Sequence, residues 1–249
     1  MPDRRLIGAE ILKLRRRRGM LAVCAFLTVG AVSLYYAILV VLHATNAAKH
    51  GAAGGLGPFD DTMGVLAMLA GVTGAIVGAT AGGADIEAGV FRDLAATGRS
   101  RTALFAARLP GALAVVVPLL AAAVLLPALL AVTLAGGEPM TAKELWEGSI
   151  QVLSAGVLTT AVSVGLAATF GARGMVMGVV LAVYLGIAPL LAQVEAIGQA
   201  RNLIPQVATA RLGGADVDEL TLGTAIGVVL AWIVVPTLLG VWRTNTQEI

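Results

Sequence analysis

Residues 62–84 read TMGVLAMLAGVTGAIVGATAGGA, a run without a single Asp, Glu, Lys or Arg. A helix rises about 1.5 Å per residue and the hydrocarbon core of a bilayer is about 30 Å thick, so roughly 20 uncharged residues in helical form cross it. Five further runs of the same kind flank this one: Met20–Leu42, Leu109–Leu134, Ile150–Phe170, Gly174–Ala192 and Thr221–Trp242. All are continuously apolar, whereas the strands of a membrane barrel alternate with a period of two. The sequence therefore predicts an all-α integral membrane protein with six transmembrane helices, one transmembrane domain covering residues 1–249.

Composition agrees. Of 249 residues, 58% are hydrophobic and 13% charged, the latter about half of the roughly 25% found in soluble chains. With the 31 glycines the apolar share is about 70%, against roughly 45–50% in a soluble domain. Too little polar side chain is present to cover a water-facing globule, which excludes a soluble enzyme. The lone Cys24 excludes an intramolecular disulfide, and His43 and His50 form no zinc-like pattern. The pI of 9.0 comes from arginines at the ends of the apolar runs, with no basic stripe interleaved with aromatics, so no nucleic-acid partner is expected.

Orientation follows from the distribution of Lys and Arg. Of the 17 in the chain, 13 fall on one side: in the N-terminal segment, the second loop (Arg92, Arg99, Arg101, Arg108), the fourth loop (Arg173) and the C-terminus (Arg243). Lys49, Lys143, Arg201 and Arg211 fall on the other. Both termini are expected in the cytoplasm. A secretory signal also places a basic segment before an apolar run, but its apolar region is typically about 7–15 residues. Met20–Leu42 is longer, so an uncleaved first span is the better reading.

Three segments outside the runs carry information. Within 1–19, Ile7, Ile11 and Leu14 recur at i, i+4 and i+7 among basic side chains, including Arg15, Arg16, Arg17 and Arg18. This predicts an amphipathic interfacial helix anchored to anionic lipid, with Gly19 allowing the turn into the first span. Leu6 and Leu12 fall off that stripe, and the arginines also enforce topology. In 85–101, Ile86, Val90 and Leu94 repeat every four residues and predict a short cytoplasmic helix. Asp85, Arg92 and Asp93 lie largely away from its apolar face, and Glu87 intrudes on it and needs a partner. Thr97-Gly98 should end that helix, and Ser100 should cap the next. In 193–220, the patch from Leu203-Ile204-Pro205 to Leu212 suits either a re-entrant element or a plain outer loop. Pro110, Pro118 and Pro127 should kink the third span.

No charge lies inside the six runs, so the intramembrane relay common in ion-coupled carriers is missing. The hydroxyls Ser154, Thr159, Thr160 and Ser163 in the fourth run suit helix bridging. A P-loop needs Gly-Lys-Ser/Thr, and the three lysines are followed by Leu14, His50 and Glu144. Nucleotide hydrolysis, if it powers this chain, happens elsewhere.

Glu10 with Leu12-Lys13-Leu14-Arg15 before the first run, six runs with both ends inside, and Glu87-x-Gly89-x-x-Arg92-x-Leu94 followed by Thr97-Gly98-Arg99-Ser100-Arg101 together resemble the permease subunits of type-2 ATP-binding-cassette exporters. The likeness spans the chain in layout and about 40 residues in motif detail, and the wording GVFRDLAATGRSR is similar to the bacterial, especially actinobacterial, branch. The resemblance implies a non-catalytic subunit of the bacterial cytoplasmic membrane. It implies two copies of a separate ATP-binding subunit, which holds ATP and Mg, and a second permease, identical or related. It implies that the N-terminal helix and the segment between spans two and three contact that ATPase. Glu87, Gly89 and Arg92 match the coupling motif, Gly89 allowing close approach, and Asp93, Arg99 and Arg101 complete the candidate coupling set. A re-entrant element between the last two spans is implied as well, which makes Leu203, Ile204 and Pro205 gate candidates. The substrate stays open among lipid, peptide, antibiotic and glycan. A gradient-driven carrier or channel without an ATPase is the competing reading.

Overall fold

A computed structural model describes residues 4–96, 98–134, 136–217 and 219–246. Among the described residues six helices are long and apolar enough to cross a membrane: Arg18–Thr45, Leu56–Glu87, Arg101–Thr133, Ala142–Phe170, Arg173–Ala192 and Leu222–Thr246. Each covers its uncharged run to within a residue, and several overshoot it. The second begins at Leu56 rather than Thr62, the third at Arg101 rather than Leu109, and the fourth at Ala142 rather than Ile150.

The overshoot has a physical cause. Charge marks where a helix leaves hydrocarbon, whereas the helix itself ends where its terminal backbone groups find other partners. Ser100 starts the third span by accepting from the Ala103 N–H at 3.2 Å, as its position before the apolar run predicts. Thr141 and Glu144 form a reciprocal capping box at the fourth, and Gly171 ends it in the left-handed conformation. The third span passes through Pro110, Pro118 and Pro127 as one continuous helix.

The second and fourth spans are the centre of the bundle: 67% and 72% of their most apolar windows are buried, against 17% for the first and fifth. Small residues bring them together. A methyl group on Gly78 would sit 2.4 Å from the Thr160 carbonyl oxygen, and one on Gly82 would sit 2.4 Å from that of Val164. The two backbones are therefore in contact, the arrangement that small residues permit where lipid supplies no hydrophobic drive between helices. On the far face of the fourth span, Gly165 meets the Pro236 carbonyl of the sixth in the same way.

The N-terminal helix, the end of the sixth span, the segment joining spans two and three, and the turn joining spans four and five gather at one end of the bundle. Thr102, at the start of the third span, donates to Asn245 Oδ1 near the end of the sixth at 3.0 Å. This end carries most of the arginines and is called the basic end below.

Candidate functional site

At the basic end the N-terminal helix, Arg4–Arg16, lays its apolar stripe on protein. Leu14 is fully buried, and Ile7 and Ile11 are half-buried. The helix packs on the start of the third span, where Gly111 lies directly beneath Glu10. Leu6, off the stripe, is half-buried too, and Leu12 is exposed. Arg15, Arg16 and Arg18 project outward, and Arg17 is partly covered. The turn into the first span falls at Arg17, with φ −81° and ψ 66°. Gly19, expected to make that turn, is already inside the span.

The second span ends in a Schellman motif. Val90 N–H bonds the Asp85 carbonyl at 3.1 Å, Gly89 N–H bonds that of Ile86 at 3.0 Å, and Gly89 has φ 71°. Only a residue without Cβ takes this conformation at little cost. Within the chain, then, Gly89 is required by its backbone geometry, and nothing lies within 4 Å of where its Cβ would be. The motif also corrects the helix expected from Ile86, Val90 and Leu94. Ile86 belongs to the second span, Val90 to the turn, and Leu94 to a separate helix, Phe91–Ala96. A four-residue repeat carries no information about a left-handed glycine inside it.

The side chain that anchors the short helix is Phe91, 6% exposed. The Arg108 guanidinium carbon lies 5.2 Å from its ring centroid, a cation–π contact. Arg108 is itself 1% exposed. Its Nη1 donates to the Gly82 carbonyl at 2.7 Å, and its Nη2 lies 3.9 Å from Asp85 Oδ2. The same Asp85 oxygen accepts from Lys13 Nζ at 2.7 Å, and Lys13 lies 2.6 Å from Glu10. One connected set of charges thus joins the N-terminal helix, the end of the second span, the short helix and the start of the third span. Burying charge without partners is expensive, so these four elements hold one another in register.

The expected coupling residues divide. Glu87 finds the partner it needed in Arg173, at 2.8 Å, which links the second span to the fifth; both side chains are nearly half exposed. Arg101 Nη1 approaches the Asn245 carbonyl at 3.5 Å. Asp93 and Arg99 are exposed. The Arg92 side chain and Thr97 lie outside the described residues. Sequence reasoning missed Asp85, Arg108 and Phe91 as a unit. Arg108 counted only as a topology-setting arginine, although its place one residue before an uncharged run, opposite an Asp one residue after another, was a usable signal.

At the other end, Leu203 is exposed while Ile204 and Pro205 are buried. A 3-10 segment, Glu195–Leu203, kinks at Gly198 and leads into the helix Pro205–Leu212. Trp232, near the middle of the sixth span, donates from Nε1 to the Leu203 carbonyl at 3.0 Å. Gln206 Nε2 donates to the Tyr184 carbonyl, near the middle of the fifth span, at 2.9 Å. That carbonyl is available for a reason. A π-turn over Val183–Ile187 sends the Ala188 N–H to Val183, and the next residue, Pro189, has no N–H. Tyr184 reaches across to the second span, its hydroxyl donating to the Ala67 carbonyl at 3.1 Å. Residues 203–205 therefore sit level with the middles of the fifth and sixth spans.

Compared with the curated proteins, the chain finds no match. A family model described as ABC-2 family transporter protein matches residues 6–189, a stretch that holds the N-terminal helix, the whole charge cluster and the spans almost to the end of the fifth; the chain belongs to that family, as a membrane-embedded transport component of the permease kind.

Proposed function

We propose that the chain is the permease subunit of an ATP-driven exporter in the bacterial cytoplasmic membrane, with both termini in the cytoplasm. ATP and Mg bind a separate ATP-binding subunit, present in two copies, and a second permease, identical or related, completes the pathway. The observation that carries the reading is the helix Phe91–Ala96 at the basic end, tied through Phe91 and Arg108 to two spans and to the N-terminal helix. Closure of an ATPase pair moves whatever is docked on it. A helix held by a buried aromatic and a charge network passes that displacement to the second and third spans rather than absorbing it. Val90 and Leu94, each more than a third exposed, and Asp93 offer a mixed apolar and charged face for docking.

Arg92→Glu reverses charge on this helix and should abolish permease-dependent stimulation of the ATPase while membrane insertion stays intact. Stimulation at the native level would overturn the coupling assignment. Sidedness has its own measurement: reporter fusions at Met1 and Ile249 should both report the cytoplasm. An extracytoplasmic signal from either would reverse the map. Residues 195–212 form the re-entrant element of this permease, with Leu203, Ile204 and Pro205 at its tip.

A further inference from the structure

Between the fifth and sixth spans, above the surface of the fourth, lies a cleft of about 170 Å³. Leu158, Val162 and Leu166 form its floor, and Val179, Val183 and Trp232 its walls. Val179 and Trp232 are 53% and 40% exposed, so the cleft opens on the side of the bundle. A dry cavity of about 150 Å³ takes up a benzene-sized group, so this one accommodates a ring or a short stretch of chain.

The cleft ends at Gln206 and Tyr184, which also wall a second hollow, of about 240 Å³, between the second, fourth and fifth spans. That hollow is more polar, with Gln151 and Thr209 on its sides. It shares Gly64 and Gln151 with a third, whose rim carries Asp60, Glu144 and Glu147. Lys143, 3.7 Å from Glu147, is the cation paired with this rim among the described residues. At the junction of the first two hollows, Gln206 must turn Nε2 toward the Tyr184 carbonyl, which can only accept. Its Oε1 is then left buried without a hydrogen-bond partner. A buried acceptor without a partner is costly, and a side-chain shift that opened it to the adjoining hollows would let a donor on a bound molecule satisfy it.

Apolar cleft, orphan acceptor and carboxylate rim follow one another toward the end opposite the basic end. From Val162 to Glu147 the fourth span rises about 22 Å at 1.5 Å per residue. We propose that the molecule this permease moves is an elongated cationic amphiphile, its apolar part entering from the bilayer between spans five and six, an N–H at its neck bonding Gln206 Oε1, and its ammonium head reaching Asp60, Glu144 and Glu147. This deepens the permease reading and rests on it. A neutral lipid tail satisfies the cleft but neither the acceptor nor the rim, and the rim's charge attracts cations specifically.

The test uses the full chain in phosphatidylcholine vesicles. The probe is N-palmitoyl-1,6-diaminohexane with a diazirine on the sixth carbon of its acyl chain, within reach of the cleft when the amide is at Gln206, and the control is phosphatidylcholine carrying the same acyl chain. Photolabelling by the amine probe should fall on the peptide containing Val179–Tyr184 and be competed by unlabelled N-palmitoyl-1,6-diaminohexane. It should drop at least five-fold in Val179→Trp, which blocks the mouth at an exposed position, and in the pair Asp60→Asn/Glu147→Gln. Equal labelling by the lipid control, or insensitivity to the rim pair, would mean a lipid-filled cleft and overturn the proposal. Crosslinking of two copies through the cleft in place of labelling would assign it to a second copy and overturn it too. Labelling requires no ATPase, so its failure beside intact ATPase stimulation would sink the substrate class and leave the permease reading standing.

Discussion

Asp85→Leu is expected to lower the thermal midpoint of the detergent-solubilised chain by about 10 °C, the largest effect of any single change at the basic end. Removing one member of a buried ion pair costs on the order of 3–5 kcal/mol, because the other charge stays buried and uncompensated. Arg108, 1% exposed, would keep only the Gly82 carbonyl and the Phe91 face. Lys13 is better placed, since it retains Glu10 at 2.6 Å. The double variant Asp85→Leu/Arg108→Met removes both buried charges and should recover most of the lost midpoint, because well-packed apolar replacements of a buried pair are often neutral. A double variant no more stable than the single one would show that the pair is not what holds these helices. The same variants separate packing from transmission: a double variant with a restored midpoint but lost ATPase stimulation would mean that the charges carry the displacement.

Gly78→Leu should prevent the bundle from assembling while leaving membrane insertion normal. Its new Cβ would stand 2.4 Å from the Thr160 carbonyl oxygen and 2.9 Å from Ser163 Cβ. Overpacking a core costs typically about 1–3 kcal/mol when side chains can shift. Here the obstacle is backbone of the fourth span, so the two most buried spans would have to separate along their length. Size-exclusion chromatography in mild detergent should show loss of the monodisperse peak, and carbonate-extracted membranes should still contain the chain. Gly57→Leu is the control: nothing lies within 4 Å of its Cβ position, and it should behave as the native chain. A monodisperse, stable Gly78→Leu protein would mean that the second and fourth spans do not meet backbone to backbone.

The spans were legible because insertion depends on a quantity that sums along the chain: about 20 consecutive residues without charge are enough, whatever surrounds them. The charge asymmetry that predicts sidedness is legible for the same reason, as are the Ser100 cap and the lack of a P-loop, each a matter of a few adjacent residues. The helix between spans two and three was only half legible. The repeat at Ile86, Val90 and Leu94 put a helix in this segment, but only Leu94 lies in the one that forms, because the Gly89 turn that divides the repeat leaves hydropathy unchanged.

The tertiary structure alone decided which residues became partners across distance. Asp85 and Arg108 look like ordinary boundary charges until the second and third spans are set side by side, when desolvation forces them together with Lys13 and Phe91. Glu87 signalled a need for a partner, but that the partner is Arg173 depends on where the fifth span begins. Likewise the depth of Leu203–Pro205 rests on bonds to Trp232 and Tyr184, and the availability of the Tyr184 carbonyl rests on Pro189. By itself the sequence determined how many times the chain crosses the membrane and which end is basic, because those are sums over local transfer energies. Which spans lie at the centre and which charges are buried together were decided only in three dimensions, because pairing and close packing are properties of two segments at once.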